Sequence, residues 1–455
     1  MELSVIILAA GKGTRMKSVL PKVMQPLAGK PLLAHVLATA QELQSSRTIV
    51  VYGHGGEVVQ KHFAHQENLA WALQAEQKGT GHAVQMALSQ LPETGKSLIL
   101  YGDVPLTTPE TLQKLLDLVV DNQKIALLTV NLANPTGYGR IVREAGLVQR
   151  IVEQKDASEQ EKQITEVNTG ILCVPNCHLH QWLPTLKNNN AQGEYYLTDV
   201  IALAVQQGLT VHTYQPQAAW EVEGINDKLQ LSTLERVYQR LQAENLMRAG
   251  ATIIDPARFD MRGTATIGMD VFFDANVLLE GDNHFGNGVK VGTNCVIKNC
   301  KIADGVEIRA NSVLEDAEIG QNAQIGPFAR IRPQSKIGAN VHIGNFVETK
   351  NTIMADGAKA NHLAYLGDAE IGERSNIGAG TITCNYDGAN KFKTIIGAEA
   401  FIGSNSSLIA PVVIGDGATT GAGSAISKDV PANHLAVARG IQRNIEGWNR
   451  PQKKK

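Results

Sequence analysis

Cysteine is scarce in this chain: five among 455 residues, Cys173, Cys177, Cys295, Cys300 and Cys384. That odd number in a long chain excludes the disulfide framework of a small secreted domain and predicts reduced, buried thiols in a cytoplasmic protein. Cys173 and Cys177 have loose metal-ligand spacing, but no second pair stands in reach to complete a zinc site. Charge is sparse too, 19% against the ~25% of an average soluble domain, and nearly balanced at −2. A protein held on nucleic acid or anionic membrane by bulk electrostatics is thereby excluded. Long apolar runs are missing: residues 5–10 cannot span a bilayer, and Glu2 is wrong for the basic flank of a signal peptide. Aromatics are only 5%, whereas glycine reaches 43 residues, above the usual ~7%. With 43% hydrophobic residues the chain is not wholly disordered. Its profile is that of a soluble protein with much flat, repetitive β-structure, long enough for two or three domains.

Two grammars divide it. Residues 1–226 alternate continuous apolar runs (4–10, 48–52, 97–101) with helical patterns. Leu33, Val36, Leu37 and Ala40 recur at helical spacing after Pro31, and residues 81–91 form another helix. That alternation predicts an α/β sheet of parallel strands, with ligands beyond the strands' carboxyl ends, at residues 9–15 and 101–103. Residues 227–250 read as one linker helix with an apolar stripe of Leu234, Val237, Tyr238 and Leu241, stopped by Gly250.

From 251 to 437 the period becomes six. Ile267, Phe273, Leu279, Phe285, Val291 and Ile297 keep it without error; Ile302 and Ile308 follow one five-residue step. Ile319, Ile325, Ile331, Ile337 and Ile343 resume it, as do Ile396, Ile402, Leu408 and Ile414. This is the hexapeptide signature of a parallel β-helix, three short strands to a triangular coil and roughly ten coils in all. The period fails twice. Ile353 and Ile371 stand one coil apart, which would turn Lys359 and Tyr365 inward and make a polar coil around His362. Between Thr383 and Ile396 seven extra residues predict a loop carrying Asn385 and Tyr386. Residues 438–455 form a tail in which Trp448 either packs near that region or stands with a solvated basic end.

After the first strand comes Leu8-Ala-Ala-Gly11-Lys-Gly13-Thr14-Arg15, whose glycines let backbone N–H groups close on a phosphate while Lys12 and Arg15 add charge. Leu20-Pro21-Lys22 adds a cation, and Tyr101-Gly102-Asp103 ends a strand with a carboxylate suited to a hard divalent ion. The Gly-rich turn matches neither the Walker A nor the dinucleotide spacing.

In combination these segments resemble the sugar-phosphate nucleotidyltransferases. Gln74-Ala-Glu-Gln-Lys-Gly79-Thr80-Gly-His-Ala, Gly137-Tyr-Gly139-Arg, Glu153-Gln-Lys-Asp, Val167-Asn168-Thr-Gly170, Asn188-Asn-Asn-Ala-Gln-Gly-Glu-Tyr-Tyr196 and Val222-Glu-Gly-Ile-Asn226 narrow the likeness. They resemble the bifunctional uridyltransferase–acetyltransferases of bacterial UDP-N-acetylglucosamine synthesis, a precursor route for peptidoglycan and lipopolysaccharide. The resemblance implies a Rossmann-like α/β nucleotidyltransferase domain followed by a left-handed parallel β-helix, assembled as a homotrimer. It implies that Leu8, Ala9, Ala10, Gly11, Tyr101 and Gly102 line the substrate site and that Gln74, Gly79 and Thr80 face the uracil. Gly139, Glu153 and Asn168 would hold the amino sugar, Asp103 and Asn226 would ligate Mg²⁺, and Lys22 and Arg15 would neutralise phosphate. Asp227 stands where that family has a second Asn.

In the β-helix the resemblance makes His362 the general base toward glucosamine 1-phosphate, a task for which an imidazole titrating near 6.5 is suited. Arg332 and Lys350 would clamp the sugar phosphate, with Tyr365, Asn376, Asn385 and Tyr386 around the sugar and the reacting carbonyl. Ala379, Ser404, Ala422 and Arg439 would line the path of acetyl-CoA. His54 and His82 read as structural. Two other readings stay open. One is a single-activity nucleotidyltransferase whose β-helix only oligomerises it, as in some ADP-glucose synthases. The other is a regulatory subunit like the nucleotide-exchange factors that carry degenerate versions of both domains.

Overall fold

Residues 4–10 and the runs that follow are buried on both faces and form the centre of a nine-stranded sheet. The computed structural model describes residues 1–455 except 54, 67, 452, 454 and 455, so His54 and part of the basic tail lie outside the described residues. It divides into two compact units, Met1–Tyr238 and Gln239–Lys455.

In the first unit the strands are β1 (Leu3–Ala9), β2 (Arg47–Gly53), β3 (Leu69–Gln74), β4 (Lys96–Tyr101), β5 (Lys124–Asn131), β6 (Arg140–Glu144), β7 (Leu147–Val152), β8 (Glu166–Pro175) and β9 (Thr210–Tyr214). Their spatial order is β9-β5-β8-β4-β1-β2-β3, with β6 and β7 as a hairpin off β8. The sheet is mixed, not wholly parallel: β8 runs antiparallel to both β4 and β5. No long helix separates β5 from β8; the β6–β7 hairpin reverses the chain there, and only a helix-length crossover would have restored the parallel sense. The predicted helix over 81–91 is shorter as well, Thr80–Ala87 followed by a single tight turn.

The predicted linker is one helix, Lys228–Arg248. Asp227 caps it, its carboxylate accepting from Gln230 N–H at 2.8 Å while the Gln230 side chain accepts from Asn226 N–H at 2.7 Å. This reciprocal cap gives Asp227 a structural task. Gly250, at φ +110°, ends the helix. Leu234 packs with Met16, Leu27, Leu32, Leu106 and Ile225 of the first unit, and Ala243 and Leu246 belong to the core of the second.

That second core is a column of Ile, Val, Leu and Phe drawn from successive coils, most strands pairing in parallel with the residue 17 or 18 positions on, as Ile308 with Ile325 and Ile325 with Ile343, and 25 positions on across the loop, as Ile371 with Ile396. The reading of residues 353–371 needs correction. Five-residue steps fall between Thr349 and Met354 and between Leu366 and Ile371, so Met354, Ala360 and Leu366 point inward, buried, while Ile353 is 47% exposed and Lys359 lies outside. The inward positions of this coil are apolar, with buried Thr349 and Thr383 before and after it. The second failure is a loop as expected: Thr383 pairs with Leu408, and Tyr386 bridges Lys391 across the extra residues. Cys173, Cys295 and Cys300 are buried and all five cysteines are free; burial pushes the Cys173 thiol up to about 12. Trp448 is exposed. Among the described residues no helix is long and apolar enough to cross a membrane.

Candidate active sites

Strands β1 and β4 are parallel neighbours with Leu8 opposite Tyr101, so the loops that follow leave the same edge of the sheet. Gln74 ends β3 on that edge. These ends frame a cleft of about 230 Å³ lined by Leu8, Ala9, Ala10, Gly11, Lys22, Gln74, Gly79, Thr80, Tyr101 and Asp103, and also by Gln77 and Glu194. Gly79 has φ +105°, and a Cβ there would meet the Tyr195 carbonyl at 2.6 Å, so no other residue fits. The Gln74 amide donates to the Gly79 carbonyl at 3.1 Å and lies 3.1 Å from His82 Nδ1. His82 therefore braces a cleft residue, and burial, with Lys78 nearby, pulls its imidazole down.

Lys22 pairs with Asp103 and donates to Asn226 Oδ1 at 3.2 Å. The Lys22 and Asp103 side chains are only 13% and 15% exposed, so their charges interact with little screening. A carboxylate and an amide oxygen thus face one cation, which is the hard-oxygen donor chemistry a divalent ion takes. Arg15, on a tight turn over Thr14–Met16, is exposed and does not line the cleft.

Beside Tyr101 lies the other half of this site. Gly170 packs its Cα against the Tyr101 ring. Asn168 N–H donates to the Gly139 carbonyl at 2.8 Å, and its side-chain oxygen accepts from Gly170 N–H at 2.9 Å. Glu153 faces Gly139 and accepts from Thr198 at 3.0 Å. Burial raises the Glu153 carboxyl, and Asp156, Asp199 and Glu194 add to the rise against the Thr198 bond. Burial, together with Asp103 and Glu153, holds the Tyr101 phenol far above the ordinary tyrosine range.

In the β-helix, register places the predicted residues. His362 stands opposite Asn345, and the same register continues to Ala379, Ser404 and Ala422 on the next three coils. Their carbonyls accept in turn from Gly380, Asn405 and Gly423 N–H at 3.4, 2.7 and 2.8 Å, and Arg439 donates to the Ala422 carbonyl at 2.9 Å. Beyond His362 the row therefore carries only small side chains, a narrow track along one edge. The His362 side chain is exposed and makes no hydrogen bond among the described residues.

On the adjoining face Arg332 and Lys350 sit one coil apart, followed by Gly367, over which the Tyr365 ring lies. Arg332 pairs with Glu348 at 2.6 Å. Lys391, from the predicted loop, approaches Lys350, and with Arg332 it pulls the Lys350 ammonium below the usual lysine range. Lys350 and Lys391, beside the Arg332–Glu348 pair, make this face locally cationic and suited to an anion. Asn385 donates to Asp368 at 2.5 Å, Asn376 stands opposite Lys359 on the preceding coil, and the Tyr386 hydroxyl donates to the Gly388 carbonyl.

Residues 5–162 match the family described as MobA-like NTP transferase domain, and residues 316–351 and 393–428 match bacterial transferase hexapeptide repeats. Over its whole length the chain is 60% identical to the bifunctional protein GlmU of Acinetobacter baylyi and 59% identical to that of Acinetobacter baumannii, each covered in full. It is 57% identical to that of Marinobacter nauticus, with 99% of each chain covered. The chain belongs to the GlmU family. It thus carries a nucleotidyltransferase and a hexapeptide acetyltransferase on one polypeptide. Sequence reading assigns no site role to Gln77, Glu194, His82 or Lys391, which the structure places in or beside the cleft and the cationic cluster. The first three lie inside or beside quoted motifs, and Lys391 lies in the loop that the broken period marked, so position alone could have flagged them.

Proposed function

We propose that the chain makes UDP-N-acetylglucosamine in two steps: it acetylates glucosamine 1-phosphate with acetyl-CoA, then joins the product to UMP from UTP. What supports this is that Lys22, Asp103 and Asn226 meet in the first unit, while the second carries exposed His362 and the Arg332, Lys350 and Lys391 cations on one chain. In the β-helix the cations hold the sugar phosphate while His362 takes a proton from the amine as it attacks the thioester carbonyl; coenzyme A leaves as the thiol. Arg439 and the small row Ala379, Ser404 and Ala422 take the coenzyme, with Asn385 and Tyr386 at the reacting end.

In the first unit Gln74, Gly79 and Thr80 orient the uracil and Gly139, Glu153 and Asn168 the amino sugar. The sugar phosphate oxygen attacks the α-phosphorus of UTP and pyrophosphate leaves, a reaction governed by positioning and charge neutralisation. Lys22 neutralises phosphate charge from within the cleft, and Arg15 does so from its edge. Asp103 and Asn226 would hold Mg²⁺, which would supply further positive charge at the phosphates. The protein works in the cytoplasm as a homotrimer, and mixing His362→Ala with Arg439→Ala subunits restores acetyl transfer if those residues meet across chains. The test is incubation with glucosamine 1-phosphate, acetyl-CoA, UTP and Mg²⁺, with thiol and pyrophosphate followed separately. Absence of thiol release would favour the single-activity reading, and absence of UTP turnover the regulatory one.

A further inference from the structure

Among the described residues Glu221 is the only buried carboxylate, 3% exposed. Its partners are neutral: Thr108 and Thr111 hydroxyls donate to Oε2 at 2.9 and 2.6 Å, and Ala218 N–H points to Oε1 at 3.4 Å. Its backbone carbonyl accepts from the Thr107 hydroxyl at 2.8 Å. A buried carboxylate without a cation is costly to desolvate unless its surroundings are fully committed to it, so its place in the fold calls for a reason.

The reason lies in what it joins. The threonines open the helix Pro109–Asp117, shortly after Asp103, and Thr108 is that helix's cap, accepting from Thr111 N–H at 3.3 Å. Glu221 itself shortly precedes Asn226. At the far end of the same two segments Ile225 N–H donates to the Asp103 carbonyl at 2.8 Å. The segments bearing the two oxygen donors are thus tied at both ends, and Glu221 forms one tie.

We infer that Glu221 is a positioning residue that sets the spacing of the Asp103 carboxylate and the Asn226 amide oxygen, and through it the affinity for a divalent cation. This rests on the assignment of Asp103 and Asn226 as the cation's ligands. Two threonine hydroxyls and a backbone N–H all point donors at this side chain, so a carboxylate satisfies them together. A glutamine accepts the threonines through its one oxygen but turns an NH₂ toward Ala218 N–H, donor against donor.

The test is Mn²⁺ binding to the full chain in the presence of UTP, read by electron paramagnetic resonance, with no turnover required. Glu221→Ala, which removes two charge-assisted bonds, weakens Mn²⁺ by about tenfold or more. Glu221→Gln and the isosteric Thr111→Val weaken it by about two- to fivefold. Pyrophosphate release follows the same order at low Mg²⁺ and recovers at high Mg²⁺, whereas acetyl transfer is unchanged. Should Glu221→Ala fail to fold, Glu221→Gln and Thr111→Val decide. Wild-type Mn²⁺ affinity in these variants, whatever their melting temperatures, would leave Glu221 a structural anchor only and overturn the inference. If Asp103→Asn left Mn²⁺ binding intact, the ligand assignment itself would fall, and the role of Glu221 with it.

Discussion

Lys22, Asp103 and Asn226 come from three distant stretches of the first unit and meet at one point, whereas His362, Ala379, Ser404 and Ala422 occupy one register position on four successive coils. The first arrangement is largely enclosed and already neutralised, a cation against its oxygens. The second is open, with an exposed imidazole and a cationic cluster in which Lys391 and Lys350 stand beside the Arg332–Glu348 pair. An α/β unit gathers its site from the ends of several strands, so each member depends on the others' segments. A repeat protein writes its site along an edge, where each coil contributes by itself.

The sharpest way to break that contrast is to remove one reacting group from each site. Asp103→Asn keeps the shape and removes the carboxylate, so pyrophosphate release from UTP falls by about 10³-fold or more, and thiol release from acetyl-CoA stays normal. His362→Ala does the reverse, lowering acetyl transfer by about 10²–10⁴-fold while uridylyl transfer to supplied N-acetylglucosamine 1-phosphate persists. Steady-state assays of both activities on each variant check this, and loss of both in a folded protein would contradict it.

A smaller effect separates charge from shape in the second site. Lys391→Met removes one of the three cations and raises the KM for glucosamine 1-phosphate by about tenfold, the worth of one charge-assisted contact. The pH dependence has a definite sign. Lys391 and Arg332 hold the free Lys350 ammonium low, and a bound phosphate raises it again. Affinity is therefore full below the free Lys350 value and lost as pH rises through it, at a lower pH than an ordinary lysine would give. In Lys391→Met the decline moves upward, which a KM–pH profile reads directly.

The smallest effect concerns the corner beside His362. The left-handed turn position there carries Asn276, Asn294 and Asn311, then Phe328, Phe346 and Leu363, then Gly380, Asn405 and Gly423. Three bulky residues sit at φ +57°, +58° and +51°, each roughly half exposed. Such residues are strained by about 1–2 kcal/mol against asparagine or glycine. Leu363→Asn therefore raises stability by about 1 kcal/mol, seen as a higher Tm.

How much of this was legible in the residues differs between the units for the same reason. The six-residue period located the β-helix core from Ile267 to Ile343 because every third strand repeats one environment. It misplaced 353–371 because a five-residue step between Thr349 and Met354 has no side-chain mark: Ile353 is as apolar as Met354, and only pairing shows which points inward. In the first unit the alternation of strands and helices was plain, but β8's antiparallel sense was not, since direction depends on the connection and not on the strand's own residues. Asp103 and Lys22 were read from motifs; the tie between Asp103 and Asn226 through Glu221 joins residues with no shared motif.

The central claim is that two independent sites work on one chain. Its most direct test is a single incubation of the wild-type protein with glucosamine 1-phosphate, acetyl-CoA and UTP, with thiol and pyrophosphate followed together as EDTA is added. The account predicts that pyrophosphate release stops while thiol release continues at its former rate, because acyl transfer from a thioester to an amine needs no metal. If both stopped together, the assignment of separate sites to the two units would be wrong.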